Sequence, residues 1–401
     1  MLYILIDDIV KAKFFNCFSE NKDVVFITNK VSCYFYLKCN AGTRILFLTE
    51  PKQTQDDNVT GVNIERLSKT IAVLNERQTL NDAIRNYVLV KSSLSEKFQN
   101  INISTKDIVI LFNGNHATAI ATADFFSSAG AKLLYAEISN LPDKMIFDPK
   151  GVNAQSLLYS KPEVLDALEP VSVAQHEQWV KDYIRYKEKP IPQSNINIPT
   201  YIMLAIDDMF ARVFENIIKE DSLSFFDKVR MFHGKFKSRK ILSAAEHYNL
   251  NEDYIFFPTQ VTSDTQLRIN SDIDNISAIN MVLELEKNID IYVKIHPAES
   301  NIDTINYFIK LAEEKKIKLV SNNTVELIKN AKKIYTINST VGLEALIFEK
   351  DLAVLGRAIY SNFDSLRLRQ YIHRYLMDLD YFGNNKLTNH HFDKLSRLSE
   401  L

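Results

Sequence analysis

The sequence predicts an α/β protein built of two Rossmann-like domains that face one another across a cleft. Three observations lead there. The chain has 401 residues, more than one ordinary hydrophobic core accommodates, so two domains are expected. Short apolar runs alternate with helical patterns in two separate series, the pattern of mostly parallel sheets covered by helices. Several of these runs end in polar loops that open the next helix, and open parallel sheets bind ligands at such strand ends.

The first series fills the first expected α/β domain, residues 1–160. "LYILI", "VVFIT" and "RILFL" read as strands. A long helical region follows over 65–97. "DIVILFNGN" is a strand ending in a loop, "ATAIATADFFSSAG" a helix closed by Gly130, and "KLLYAEIS" a further strand. The opening "MLYILIDDIV" carries Asp7 and Asp8 with no basic flank, which reads as a first strand rather than a signal peptide. Cys17, Cys33 and Cys39 lack metal-ligand spacing and fit reduced thiols of a cytoplasmic protein.

A helical and basic crossing region is expected over 161–240. It is interrupted by "KPIPQSNINIP" and carries "DKVRMFHGKFKSRK", with four Lys and two Arg against one Asp. That run is either a solvated face or a contact for anionic lipid headgroups. The second series, 241–360, is the second expected α/β domain. "YIFFPT", "DIYVKIHP", "IKLVSN", "KIYTINS" and "LAVLG" are its strands, with helical patterns between them. A helical tail is expected over 361–401, where "SLRLRQYIHRYLMDL" reads as a basic amphipathic helix. No window approaches the roughly 18 apolar residues of a membrane span, so a soluble or peripheral protein is expected. The formal net charge of −2 argues neither for nor against nucleic acid, and none is expected as a partner.

Four places carry candidate chemistry. In "NSTVGLEAL", Ser339 or Thr340 caps a helix at a strand end, where free backbone N–H groups suit a phosphate. Glu344 lies four residues after Thr340 on the same helix face. It is either an acceptor for a ribose diol or a plain helix acid. In "YVKIHPAES", strand alternation puts Lys294 and His296 on one face. His296 can donate to a phosphate or act as a base, or serve the fold alone. In "YIFFPTQVTSDTQ", a strand runs into Gln260, Asp264 and Gln266, and Asp264 is either a turn residue or a carboxylate over the crevice. In "YAEISNLPDKMIFDPKGVN", Glu137 ends a strand and Asp148 follows; these are either acids near a cleft that divide acid and base roles or unpaired surface acids, as Asp143 is expected to be.

These segments, in this order, resemble the bacterial capsule polysaccharide biosynthesis family, the retaining β-Kdo glycosyltransferases of GT-B type (Kdo is 3-deoxy-D-manno-oct-2-ulosonic acid). The matching pieces are Gln260 to Asp264, His296-Pro297, "NSTVGLEAL" with "FEKDLAVLGRAIY" after it, Glu137, and the turn Gly151-Val152-Asn153, within a span from Asn113 to Tyr360. The chain departs from the family pattern at "EISNLPD", which lacks a Gly and an Arg, and at "YSNFDSLRLRQ".

The resemblance implies transfer of Kdo from CMP-β-Kdo to a saccharide or lipid-linked acceptor, with retention, by a cytoplasmic enzyme at or near the inner membrane. It implies no cofactor and no metal. Asp264 is implied as nucleophile, Glu137 as base, and His296, Ser339 and Thr340 as phosphate contacts. Glu344 would meet the ribose, and Arg268 or Lys294 the Kdo carboxylate. Gln260, Asn113 and Asn153 complete the implied substrate contacts. Another GT-B transferase, such as one using CMP-sialic acid, and a non-catalytic capsule-assembly module remain the alternatives.

Overall fold

The computed structural model describes residues 1–41, 44–52, 62–139, 141–188, 207, 209–210, 213, 217–218 and 245–401. The "KPIPQSNINIP" stretch and the basic 227–240 run lie outside the described residues. The chain divides into two compact units. The first comprises Met1–Val152, Pro190–Ser222 and Arg374–Leu401; the second comprises Asn153–Lys189 and Leu223–His373.

The first unit holds a seven-stranded sheet. Its strands are β1 (Leu2–Ile6), β2 (Val24–Thr28), β3 (Arg44–Phe47), β4 (Ile108–Phe112), β5 (Lys132–Ile138), β6 (Lys144–Asp148) and β12 (Met377–Asp378). The order is β3-β2-β1-β4-β5-β6-β12. The five strands from β3 to β5 are parallel, and β6 and β12 are added antiparallel. β1 and β2 are buried along their whole length, which fits strands covered on both faces and their unbroken apolar runs. Tyr3, Phe98 and Phe126 pack with ring centroids 4.8–5.4 Å apart, tying β1 to the helices Leu80–Lys97 and Ala117–Ser128.

The long helical region expected over 65–97 is three helices, Ile64–Ser68, Ile71–Leu74 and Leu80–Lys97. Glu76 adopts φ +57°, which no helix continues. Thr79 then opens the third helix with a capping box to Asp82.

The second unit holds a five-stranded sheet of β7 (Tyr254–Pro258), β8 (Asp290–Lys294), β9 (Lys318–Leu319), β10 (Lys333–Thr336) and β11 (Asp351–Val354). All pairings are parallel, in the order β11-β10-β7-β8-β9. One face packs Ile255, Phe257, Val293 and Tyr335 against Ile279, Val282 and Phe308 of the helices Asn275–Leu285 and Ile302–Glu313. The other packs Tyr254, Phe256, Tyr292 and Ile334 against Leu327, Ile328 and Ala345. Counted in chain order within each unit, both parallel sets run 3-2-1-4-5, the doubly wound arrangement. The ligand crevice of such a sheet opens where the order reverses, beyond the carboxyl ends of strands 1 and 4. That point lies between β1 and β4 in the first unit and between β7 and β10 in the second.

The expected amphipathic helix of the tail is short. Ser365–Gln370 is α-helical, Tyr371–Tyr375 is a π turn, and the chain then enters β12. Its apolar residues Leu368, Tyr371, Ile372 and Tyr375 are buried. Among the described residues, no helix is long and apolar enough to cross a membrane.

Candidate functional site

The second unit gathers most of the candidate residues at the ends of three neighbouring strands, β8, β7 and β10. After β7 the chain enters Thr259 and Gln260. Gln260 is buried, and its side chain bridges to Asn338, two residues beyond β10. Its Nε2 donates to Asn338 Oδ1 at 2.8 Å, and its Oε1 accepts the Asn338 N–H at 3.1 Å. Asn275 closes the same network on the Gln260 backbone from the start of the next helix, at 2.9 and 2.7 Å. Asn338 Nδ2 donates to the carbonyls of Gln266 and Asn270. Gln260 thus ties the two strands of the switch point together beneath the loop.

That loop delivers Asp264. The residue is exposed and caps the short helix Thr265–Arg268, with Oδ1 accepting the Gln266 N–H at 2.9 Å. Arg268 is exposed at the end of the same helix. A residue the sequence reading passed over fixes the loop. Glu299 is fully buried. One of its oxygens accepts Thr262 N–H and Oγ1–H at 2.8 Å each, and the other accepts Ser300 and Asn301 N–H at 2.7 Å each. A buried carboxylate is tolerable when its lone pairs are filled in this way. It staples the loop after β7 to the loop after β8.

His296 lies in that second loop. Its backbone N–H donates to Thr259 Oγ1 at 2.9 Å, which fixes the residue beside the end of β7. Its Nδ1 accepts the Ala298 N–H at 3.1 Å, so the neutral ring carries its proton on Nε2. Partial burial lowers its pKa, opposed by the charges of Asp264 and Glu299. A neutral imidazole with an Nε2–H to offer, next to an exposed carboxylate, is the result. Lys294 goes elsewhere. Its ammonium donates to the Asn322 carbonyl at 2.6 Å, and burial lowers its pKa against the pull of Glu326.

After β10, Ser339 caps the helix Thr340–Ile347, accepting the Val341 N–H at 3.2 Å, and Thr340 is exposed. Tyr360 donates its hydroxyl to the Ser339 carbonyl. Its ring lies so close to Gly342 that a Cβ there would come within 2.6 Å of a ring carbon. The "NSTVGLEAL" and "GRAIY" pieces are therefore one packed unit. Glu344 is buried and engaged. Tyr183 donates to its Oε1 at 2.8 Å, and the Lys187 ammonium lies 2.6 Å from the same oxygen. Both partners come from the helix Val173–Glu188, which nothing in the sequence reading linked to Glu344.

The remaining candidates belong to other segments of the chain. Asn153 has φ +54°, and its carbonyl accepts the Ser156 N–H and hydroxyl. Glu137 and Asn113 belong to the first unit. Glu137, near the end of β5, is half-buried and accepts the Ile138 N–H at 3.0 Å. Asn113 has φ +44° at the end of β4, and its N–H donates to the Ala136 carbonyl. Asp148 is fully buried and structural, accepting Lys150 and Gly151 N–H and the Tyr375 hydroxyl. Among the described residues, no group of three or more His, Cys, Asp or Glu could hold a metal ion.

A family model described as "Capsule polysaccharide biosynthesis protein" matches residues 109–364, more than half of the chain. The chain belongs to this family. The matched span runs from β4 past β11, so it includes Glu137 and every candidate of the second unit.

Two curated relatives of this chain are Protein FixF of Sinorhizobium fredii and the capsule polysaccharide export protein KpsS of Escherichia coli. FixF is 25% identical over 269 residues, 65% of this chain and 51% of FixF. KpsS is 30% identical over 153 residues, 35% of this chain and 39% of KpsS. The match thus spans about half of one relative and two fifths of the other. Among solved structures, Thermosulfurimonas dismutans KpsC, a beta Kdo 2,7 transferase, aligns over 99% of each chain at 13% identity with a TM-score of 0.44. That score is too low to bear on fold or activity.

Proposed function

We propose that this family member is a glycosyltransferase of GT-B type that moves Kdo from CMP-β-Kdo to a saccharide or glycolipid acceptor with retention, in capsule or lipopolysaccharide synthesis. One observation carries the reading. At the switch point of the second unit, the Nε2–H of a neutral imidazole, the N-terminus of the helix Thr340–Ile347 and an exposed carboxylate follow three adjacent strands. That set suits a nucleotide phosphate together with a reacting sugar carbon.

In this proposal the donor phosphate lies against the N–H groups after Ser339, with Thr340 and His296 as further donors. These groups take up the negative charge that builds as CMP departs. Asp264 attacks the anomeric carbon from the opposite face and forms a covalent glycosyl-enzyme. Glu137 of the first unit then removes a proton from the acceptor hydroxyl, which displaces Asp264 and restores the original configuration. Arg268, on the turn after Asp264, is the cation for the Kdo carboxylate. Lys294 would have to leave the Asn322 carbonyl to serve there. Gln260 contributes by holding the two strand ends together, and Glu344 takes the ribose. Asn113 and Asn153 are kept as substrate contacts on the family resemblance alone. Cytoplasmic placement with peripheral contact to an anionic membrane is part of the same proposal.

The test is a donor screen. The protein is incubated with CMP-Kdo, CMP-sialic acid and UDP-sugars, and nucleotide release is followed. Release from CMP-Kdo alone is expected. Equal or faster release from CMP-sialic acid would replace the donor, and release from none would favour an assembly module.

A further inference from the structure

Glu344 is an unusual residue to leave for a ligand. Its side chain is 8% exposed and that of Lys187 is 21% exposed. Both donors to Glu344, the Tyr183 hydroxyl and the Lys187 ammonium, fall on one oxygen, Oε1. Among the described residues, nothing donates to Oε2. The two donors are four residues apart on one face of the helix Val173–Glu188, and the Lys187 ammonium lies 5.7 Å from the Tyr183 ring centre. The same face carries a ladder of near-parallel rings. Trp179 stacks on Tyr183 at 5.2 Å and 11°, and His176 on Trp179 at 6.0 Å and 13°. Burial, and then the Glu344 carboxylate, push the Tyr183 phenol far above its ordinary pKa, so it remains a donor. One oxygen takes both donors of a single helix and the other, among the described residues, takes none, in the helix that Ser339 opens.

We propose that Lys187 and Tyr183 are positioning residues of the nucleotide site: they fix Glu344 through Oε1 so that Oε2 accepts the hydroxyls of a ribose. The inference rests on the reading of the second unit as the nucleotide site, and it extends that site to a helix that precedes the unit's sheet. It also makes sugar identity a property of this triad. A site built to accept a hydroxyl discriminates against the analogue that lacks it.

The test is calorimetric titration of the full chain with CMP and with 2′-deoxy-CMP. The wild type is expected to prefer CMP by about tenfold or more, the cost of one unmade hydrogen bond to a charged group. Lys187→Met should reduce that preference to about threefold or less, while Lys187→Arg keeps most of it. The doubly uncharged variant Lys187→Met/Glu344→Gln avoids a lone buried charge and should bind the two nucleotides alike. A merely structural ion pair would change stability and leave the preference intact. Wild-type discrimination retained in Lys187→Met overturns the proposal. CMP binding by the wild type with no preference over 2′-deoxy-CMP also overturns it, and leaves the nucleotide site standing. Failure to bind CMP, UMP or CDP at all overturns both.

Discussion

The two units have the same parallel strand order, and their switch points differ in almost everything else. In the first unit, β1 is followed by Asp7, whose carboxylate lies 2.6 Å from the Lys11 ammonium, each side chain 10% exposed. Lys11 also reaches Asp8 at 3.3 Å and lies over the Phe112 ring at 4.8 Å. Gly114, at φ +76°, brings the backbone against Tyr135, where a Cβ would lie 2.6 Å from the ring. Charge there is consumed internally. In the second unit the buried polar groups, Gln260, Asn338 and Glu299, serve the backbone. Asp264, His296 and Thr340 are left exposed above them. Topology supplies a crevice in both units. The loop residues decide whether it is sealed by its own ion pair or presented to a ligand.

The comparison can be broken by exchanging its terms. The largest effect is expected at Asp264. Asp264→Asn is nearly isosteric and removes the proposed nucleophile. Transfer from CMP-Kdo should fall roughly a thousandfold or more, each tenfold being ~1.4 kcal/mol of barrier, with CMP affinity near wild type. Mass spectrometry of the wild type with donor and no acceptor should find Kdo on the peptide containing Asp264. A variant keeping more than about a tenth of the rate would make Asp264 a turn former. An adduct on Glu137 would reverse the two roles.

At the sealed switch point the effect should be on stability alone. Lys11→Met leaves Asp7 buried without its cation and should cost about 3 kcal/mol in urea unfolding, with CMP affinity unchanged. Burial works to raise the Asp7 pKa, yet Lys11, His116 and Lys30 hold it below its ordinary value. A depressed carboxylate contributes stability above its unfolded pKa of ~4 that is lost as pH falls through the folded value. This acid-limb loss should therefore be smaller in Lys11→Met than in the wild type. An altered CMP affinity would show that the first switch point also serves the nucleotide.

Smaller changes are expected for His296→Ala and Glu344→Ala, which should weaken CMP binding by about 1–3 kcal/mol each in calorimetry while the fold persists. Unchanged affinity in both would remove the phosphate and ribose assignments. The smallest effect concerns pH. Burial depresses the His296 pKa, so the neutral ring is the form the fold favours. Its contribution is complete above the unfolded value of ~6.5 and declines as pH drops through the lower folded value, and solvent screening at this exposed residue keeps the change small. His296→Asn should flatten that part of the stability profile between pH 7 and 5. His176, also depressed by burial and by Arg369, retains its own share.

Much of this was legible in the sequence because it is local. The two α/β series follow from apolar runs and their spacing. The Ser339 cap is a local pattern at a strand end, and His296 is marked as a loop residue by the Pro297 beside it. What escaped is non-local. Tyr183 and Glu344 are 161 positions apart, and Thr262 and Glu299 are 37 apart; no periodicity relates such pairs. Glu299 reads as one more acid in "HPAES" until the structure fills its lone pairs. Lys294 and His296 share a strand parity, but the strand ends at Lys294, and alternation no longer dictates where His296 points. The antiparallel β6 lay hidden in a segment read for its acids, Asp148 among them.

The return of Arg374–Leu401 to the first unit has a consequence for biosynthesis. Tyr375 fills the buried Asp148 carboxylate, Asp378 neutralises the nearly buried Lys144, and β12 covers the free edge of β6. All three partners are translated after the whole of the second unit. During vectorial synthesis the first sheet therefore waits with an open edge, and without the Tyr375 and Asp378 contacts to Asp148 and Lys144, while the second unit emerges, and such unpaired strand edges attract wrong partners. The ribosome-bound chain should be most dependent on chaperones in that interval, and a premature stop before Arg374 should harm the part of the protein made first.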